Sequence, residues 1–288
     1  MHRKVVDYAL KALLYEVAAT PKPGLVDRAN NGAHSDMDFY TFLDSSVELR
    51  HYFEAIAQYI KGQYNHKSES KTLHEGDMIF SGLKTLGIQA EQDMKKATGG
   101  INTHKGAIYA LGLLVAAVTE LELYNTGKLQ IEDITARVSE YVGPSLEKEF
   151  IENDHTSSYG VIQYRTLGML GARGEAYRGF ETVRTKGLPA LESGLKMGLS
   201  INDAMIGSLL AIISDLEDSN VIGRHSPMIL KESQAFAKSI LEVGAMTTEK
   251  GREMISQYDQ WCIAHRISHG GSADLVAVAL FLYWIKNN

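Results

Sequence analysis

The sequence predicts an all-α fold: a single globular domain over residues 1–288, with about ten or more helices and glycine-rich loops at helix N-termini. Three observations predict it. Apolar residues recur at three-to-four spacing through most of the chain, the period of one helix face. Convincing runs of strict apolar–polar alternation, the mark of half-buried strands, are absent. Between the helical patterns lie four segments that mix small residues with charges: Thr20–Asp36 (TPKPGLVDRANNGAHSD), Gly100–Gly106 (GINTHKG), Gly171–Glu175 (GARGE) and Ser268–Asp274 (SHGGSAD). A chain of 288 residues can bury a full core, and no repeat, low-complexity tract or linker divides it.

In chain order, the first helix carries Val5, Val6, Ala9, Leu13 and Val17 on one stripe. Pro21 and Pro23 end it, because proline lacks the N–H a helix needs. A second helix opens at Ser35, with Asp38 three residues on in a capping-box-like start, and runs through Phe42, Phe53 and Ile60. The polar stretch Gly62–Lys71 reads as an exposed loop. A third helix covers about 77–96, and Thr103 is placed as the N-cap of a fourth reaching Tyr124. Others are expected near 131–142, 158–170, 175–186, 189–199 and 202–217. Ser226 with Pro227 is a cap followed by a first-turn proline, opening a helix to about 243. The last two cover about 248–265 and 272–286. The apolar runs Ala107–Val118 and Ala273–Ile285 fall short of the roughly 20 residues a membrane span needs and read as buried central helices.

A hydrophobic content of 44% and a charged content of 22% are those of a soluble globular chain. The net charge of −6 argues against a nucleic-acid partner, which calls for a basic excess. No apolar signal core follows Met1. Cys262 is the one cysteine, so a disulfide framework within the chain is excluded and a reducing, cytoplasmic compartment is expected. Beside Trp261 and Ile263, it reads as a buried helix residue.

The loops carry the chemistry. Gly100–Gly106 precedes a long apolar helix, where unpaired N–H groups and the helix dipole favour an anion. Lys105 adds a point charge, and Asn102 and His104 add donors. The spacing of a Walker A loop is missing. In Gly171–Glu175 an arginine between glycines suits bidentate phosphate contact; Glu175 would also be favoured by the dipole at a helix start. In the last loop, capping accounts for Ser272 and dipole compensation for Asp274. A polyphosphate usually arrives with Mg²⁺, held by one or two carboxylates, phosphate oxygens and water. With one cysteine there is no Cys-x-x-Cys pattern, and zinc is not expected. These residues point to a nucleotide-processing enzyme using Mg²⁺.

The segments Glu16–His34, Glu91–Ile108, Gly171–Ala176, Asp218–Val221 and Ile267–Leu275 resemble, in order and over most of the chain, the motifs of the triphosphoribosyl-dephospho-coenzyme A synthases. Two departures stand out: His269 where the family pattern has proline, and Gln92 where it has glycine. The resemblance implies that ATP and 3′-dephospho-coenzyme A give 2′-(5″-triphosphoribosyl)-3′-dephospho-coenzyme A and free adenine. That product is the precursor of the prosthetic group on the acyl carrier subunit of citrate lyase, or of malonate decarboxylase in related systems. It would pass to the transferase that attaches the group. An α-configured product from a β-nucleoside implies direct displacement with inversion, through a transition state of oxocarbenium character.

On this resemblance Lys22, Arg28, Lys105 and Arg173 would hold phosphates, assisted by Gly100 and Gly271, with Asn102, Asn220 and Ser272 also contacting substrate. Asp27 or Glu175 would act as base or cation stabiliser, and His104 would donate to a phosphate or to adenine. Asp93, Asp218 and Asp274 are the Mg²⁺ candidates. Three other readings compete. A hydrolase of the N-glycosidic bond, like the ADP-ribosyl hydrolases, would release adenine without dephospho-coenzyme A. A phosphohydrolase would release phosphate and leave adenine attached. A nucleotide-binding assembly module would bind ATP without consuming it.

Overall fold

The structure is a computed structural model that describes residues 2–65, 76–124, 127–151 and 171–288. Among these residues there are twelve α-helices and no strand, as the apolar periodicity predicts. They are α1 (His2–Ala18), α2 (Phe39–Asn65), α3 (Gly76–Ala97), α4 (Lys105–Tyr124), α5 (Ile131–Ile151), α6 (Gly171–Tyr177), α7 (Leu188–Lys196), α8 (Ile201–Ile213), α9 (Ser219–Arg224), α10 (Pro227–Glu242), α11 (Glu249–His265) and α12 (Gly270–Lys286). A π-helical turn (Val183–Gly187) precedes α7, and a 3₁₀ turn (Ala245–Thr247) precedes α11. The helix expected at 158–170 and the part of the expected loop from residue 66 onward lie outside the described residues.

The chain divides into two compact units interleaved in sequence. Unit 1 comprises Met1–Lys11, Ser45–Glu181 and Trp284–Asn288; unit 2 comprises Ala12–Asp44 and Thr182–Tyr283. In unit 1, α4 is apolar on all sides and buried along most of its length. Helices α3 and α5 pack on it and on each other, and α6 packs on α5 and α4. With 20 residues, α4 is the one described helix long and apolar enough to cross a membrane, but 78% of its most apolar window is buried in protein. It extends beyond the Ala107–Val118 run because Thr119 and Glu120 are buried too. Arg137 makes that burial tolerable: its Nε and Nη2 donate to Glu120 at 2.9 and 3.0 Å, and the Tyr141 hydroxyl donates to the same carboxylate at 2.5 Å. A buried charge needs such pairing.

In unit 2, α8 buries Met205, Ile206, Leu209, Leu210, Ile212 and Ile213 and packs against α7, α10 and the π turn. Helix α11 packs on α10 and on the 3₁₀ turn. Side-chain caps set most helix starts. Ser200 accepts from Asp203 N–H at 3.1 Å, Ser226 from Ile229 N–H at 3.3 Å, and Thr248 from Gly251 N–H at 3.0 Å. Arg266, with φ +55°, turns the chain out of α11 in the left-handed region, and Ile267 N–H returns to Cys262 O at 2.8 Å.

Several boundaries differ from those expected, each for a local reason. Helix α2 opens at Phe39, not Ser35, because Asp38 and Thr41 cap each other: Thr41 N–H donates to Asp38 Oδ1 at 2.9 Å, and Asp38 N–H to Thr41 Oγ1 at 3.2 Å. It runs on through residues 62–65, which are therefore not loop. Helix α6 starts at Gly171, so Glu175 lies inside it. The helix expected over 175–186 is interrupted where Gly179 and Phe180 take φ of +63° and +53°. Helix α9, six residues long, is too short to show a period.

Candidate active site

Unit 2 builds its most constrained polar region at residues 19–38. Beyond the two prolines the chain folds back on itself: Leu25 N–H donates to Lys22 O, Asp27 N–H to Asn30 O and Ala33 N–H to Gly24 O, at 3.1, 2.9 and 3.0 Å. Gly24 has φ +68°, and a Cβ there would lie 2.2 Å from Ile267 O and 2.6 Å from Cys262 Cβ. Only glycine lets this turn approach the end of α11 so closely. Cys262 is buried, as expected, and burial together with Asp259 pushes its thiol up, away from the reactive thiolate.

Buried charges hold the turn. The Lys22 ammonium donates to Glu16 Oε1 at 2.5 Å, and both side chains are buried. Asp27, 2% exposed, accepts from Lys22 N–H at 2.9 Å through Oδ2, and from the Ala29 and Asn30 N–H groups at 2.6 and 3.1 Å through Oδ1. Asp259 on α11 grips the same turn from the other side, accepting from Gly24 N–H at 2.8 Å and Asn30 Nδ2 at 3.3 Å. Asn202 on α8 fixes its entrance, accepting from Thr20 N–H at 2.9 Å and donating to Thr20 O at 2.7 Å; its Oδ1 also meets exposed Arg28 at 3.3 Å. Burial raises the Asp259 pKa; hydrogen bonds from Gly24 and Asn30 oppose the rise, and Asp27 adds to it. Burial likewise raises that of Glu16, against the pull of Lys22.

His34 follows on the same loop. Its Nε2 lies 2.8 Å from Ser268 Oγ, and its Nδ1 3.5 Å from Asp36 Oδ1. Burial lowers the imidazole pKa, Asp36 opposes the shift, and Arg224 adds to it. Ser268 leads into α12, where Asp218 ties two helix starts together. Its Oδ1 caps α9 through Asn220 N–H at 3.0 Å; its Oδ2 accepts from Ser272 N–H at 3.0 Å and Ser272 Oγ at 3.1 Å. Ser272 is thus inside α12 and serves Asp218, rather than being the N-cap. A Cβ at Gly271 would meet Asp218 Oδ1 at 3.0 Å. His269 is completely buried, with Nε2 2.7 Å from Ser233 Oγ, itself 2.5 Å from the Tyr258 hydroxyl. His265 and His269 are four residues apart, but α11 ends between them, so they do not share a helix face.

Unit 1 carries a second group. Gly100, φ +96°, donates its N–H to Lys95 O at 2.6 Å, so that donor closes α3. Asn102 Oδ1 accepts from Lys105 N–H at 3.3 Å, taking the capping place expected for Thr103, whose hydroxyl donates to Ser45 Oγ at 2.7 Å. His104 is 3% exposed, with Nδ1 2.6 Å from the same Ser45 Oγ. Exposed Lys105 pairs with Glu91 at 3.1 Å. Arg173 and Glu175 lie in α6; Glu175 is buried, 3.3 Å from Arg178 Nη2. Asp93 is held by Gln89 and Lys96, whose hydrogen bonds lower its pKa.

Over residues 2–288 the chain matches the CitG family, described as ATP:dephospho-CoA triphosphoribosyl transferase. The chain belongs to this family. It is similar, at 33% identity over 285 residues, to a probable 2-(5''-triphosphoribosyl)-3'-dephosphocoenzyme-A synthase of Lactiplantibacillus plantarum, covering 96% of this chain and 95% of that protein. A probable synthase of the same name from Citrobacter koseri is 35% identical over 278 residues, covering 96% of this chain and 89% of that protein. Protein CitXG of Leuconostoc mesenteroides subsp. cremoris is 35% identical over 286 residues, which cover 97% of this chain but 58% of that longer protein. No solved structure matches.

The residues singled out from the sequence fall into both units. Lys22, Asp27, Arg28, Asp218, Asn220, Gly271, Ser272 and Asp274 belong to unit 2; Asp93, Gly100, Asn102, His104, Lys105, Arg173 and Glu175 belong to unit 1. Sequence reasoning passed over Asn202 and Asp259, which sit within helices with no glycine loop to mark them. It also gave no catalytic role to His34, Asp36 or Ser268. The signal for the first two was a histidine with an aspartate two residues on, inside a motif already rich in charge.

Proposed function

We propose that this chain transfers the triphosphoribosyl group of ATP to the 2′-hydroxyl of 3′-dephospho-coenzyme A, releasing adenine and forming 2′-(5″-triphosphoribosyl)-3′-dephospho-coenzyme A. The family match over residues 2–288 carries this reading. The product is the prosthetic-group precursor for the acyl carrier subunit of citrate lyase, and its consumer is the transferase that attaches it. We place the reaction in the cytoplasm, where ATP is made available to biosynthesis.

Each unit offers cations suited to a triphosphate: exposed Arg28 in unit 2, and exposed Lys105 with Arg173 in unit 1. Lys22 has donors beyond the one given to Glu16 and backs the turn from its buried side. Mg²⁺ would enter with the triphosphate, where it neutralises charge. Among the described residues no three or more His, Cys, Asp or Glu side chains converge to hold an ion alone, so the fitting mode is one or two carboxylates completed by phosphate and water. Asp218 does not suit it, since three protein donors already occupy its two oxygens. Asp93 also has both oxygens engaged, by Gln89 and Lys96, but those partners and Asp93 itself lie on the surface, where an arriving ion could displace them, whereas Asp218 is 1% exposed.

The test is mass spectrometry of the protein incubated with ATP, Mg²⁺ and dephospho-coenzyme A, and with each substrate omitted in turn. The expected result is a triphosphoribosyl adduct of dephospho-coenzyme A with matching free adenine. Adenine formed equally without dephospho-coenzyme A would replace this reading with a hydrolase.

A further inference from the structure

The displacement needs a group to take the proton of the acceptor hydroxyl, and the two carboxylates that the resemblance offers for it are poorly placed. Asp27 has both oxygens occupied by three backbone N–H donors and is 2% exposed. Glu175 is equally buried and paired with Arg178. A general base must offer a free lone pair to the substrate at hydrogen-bond distance.

His34 can meet it through a relay: its Nε2 is given to the Ser268 hydroxyl, whose own oxygen keeps lone pairs for the substrate. Its side chain is 12% exposed, and Ser268, through which the acceptor reaches it, is 4% exposed, against 2% for Asp27 and Glu175. The carboxylate of Asp36, 62% exposed, lies on its Nδ1 side at 3.5 Å. That favours the tautomer with hydrogen on Nδ1 and leaves Nε2 as acceptor. Nε2 faces the Ser268 hydroxyl at 2.8 Å. A hydroxyl, an imidazole and a carboxylate in this order are the arrangement by which an alcohol is deprotonated in hydrolytic enzymes of unrelated fold. Here the alcohol to be activated belongs to the substrate.

We infer that His34, oriented by Asp36 and reached through Ser268, is the base that receives the acceptor 2′-hydroxyl proton. The inference rests on the transfer reaction proposed above. In the step, the acceptor oxygen bonds to the ATP ribose C1 as the C1–N9 bond breaks, and that bonding pair leaves with adenine, which takes up a proton from water. The acceptor proton passes to Ser268 Oγ as the Ser268 proton moves to His34 Nε2. The resulting imidazolium is stabilised by Asp36 and returns its proton to solvent.

Charged groups facing His34 are Asp36 from its own loop and Arg224 from α9. Burial and Arg224 hold its pKa below the ordinary histidine value, so the imidazole is neutral and competent at pH 7. The rate then falls as acid protonates it.

The test measures kcat, both KM values and the pH dependence of kcat/KM for the wild type, His34→Gln, His34→Ala and Asp36→Asn, with thermal unfolding as a check on folding. His34→Gln should lower kcat by about 10²–10⁴-fold with both KM values nearly unchanged, and added imidazole should restore part of the turnover of His34→Ala. Asp36→Asn, at an exposed site, should fold normally and move the acidic limb of kcat/KM to lower pH. With an active wild type, a His34→Gln variant that is folded and keeps its kcat, or an acidic limb unmoved by Asp36→Asn, overturns the assignment of the base and leaves the reaction standing. A wild type that forms no adduct overturns the reaction, and the base with it.

Discussion

The Lys22 ammonium and the Glu16 carboxylate meet at 2.5 Å with 4% and 6% of their side chains exposed, joining the last turn of α1 to the first residues of the loop after it. Breaking such a pair strands a charge, which costs more than the pair itself contributes. Lys22→Met should therefore destabilise the protein by about 3–5 kcal/mol, and the double variant Lys22→Met/Glu16→Gln should be less destabilised. Urea unfolding of both checks this, and a double variant worse than the single would show that Lys22 acts through other contacts.

Gly24→Ala probes the same loop by shape rather than charge. The added methyl meets Ile267 O and Cys262 Cβ at less than van der Waals distance, in a backbone conformation that already disfavours a side chain. A loss of about 1–3 kcal/mol is expected, with a larger loss of synthase turnover because the turn must move. Retained turnover would show that the turn tolerates displacement.

In unit 1, Arg137→Leu should cost about 3–5 kcal/mol, since Glu120 would remain buried without the two guanidinium hydrogen bonds that pair its charge. Arg137→Lys should recover part of this but not all, because lysine cannot make the two-pronged contact. Chemical denaturation of the pair of variants measures the difference.

His269 predicts an acid dependence of stability. Burial lowers its pKa from 6.5 to about 4; Asp218 opposes the shift and His225 adds to it. Between those pH values the unfolded chain takes up a proton that the folded chain refuses. The contribution is complete above pH 6.5 and is lost as pH falls toward 4, up to roughly 3 kcal/mol. Unfolding free energies at pH 7, 5.5 and 4.5 for the wild type and His269→Gln should show a steeper decline in the wild type; parallel curves would exclude His269 as the source.

Lys105→Ala should raise the ATP KM on the order of fivefold, the worth of one exposed charge contact, with kcat little changed. Steady-state kinetics decides it. An unchanged KM would leave Lys105 as the partner of Glu91 alone.

Legibility in the sequence tracked the length of each feature. The stripes of α1 and α4 and the Ser226–Pro227 start extend over enough residues, or use specific enough chemistry, to be read directly. The π turn at Val183–Gly187 was not, because its reason lies elsewhere: Gly187 packs on Ile212, and its carbonyl accepts from Ser208. The charged loops were legible as places but not as pairings. Nothing in the order of residues says that Lys22 turns inward to Glu16, or that the Gly100 N–H closes the helix behind it. Asp259 was invisible for a plainer reason, since one aspartate on a polar helix face is the commonest thing a helix carries.

The grip of Asp259 on Gly24 and Asn30, with Gly24 seated against Cys262 and Ile267, bears on how this enzyme could be re-engineered. Two stretches more than two hundred positions apart form a single interchangeable part. A chimera that imports residues 20–34 from a relative without 259–272 would join a key to another lock's wards, and the two should be transplanted together.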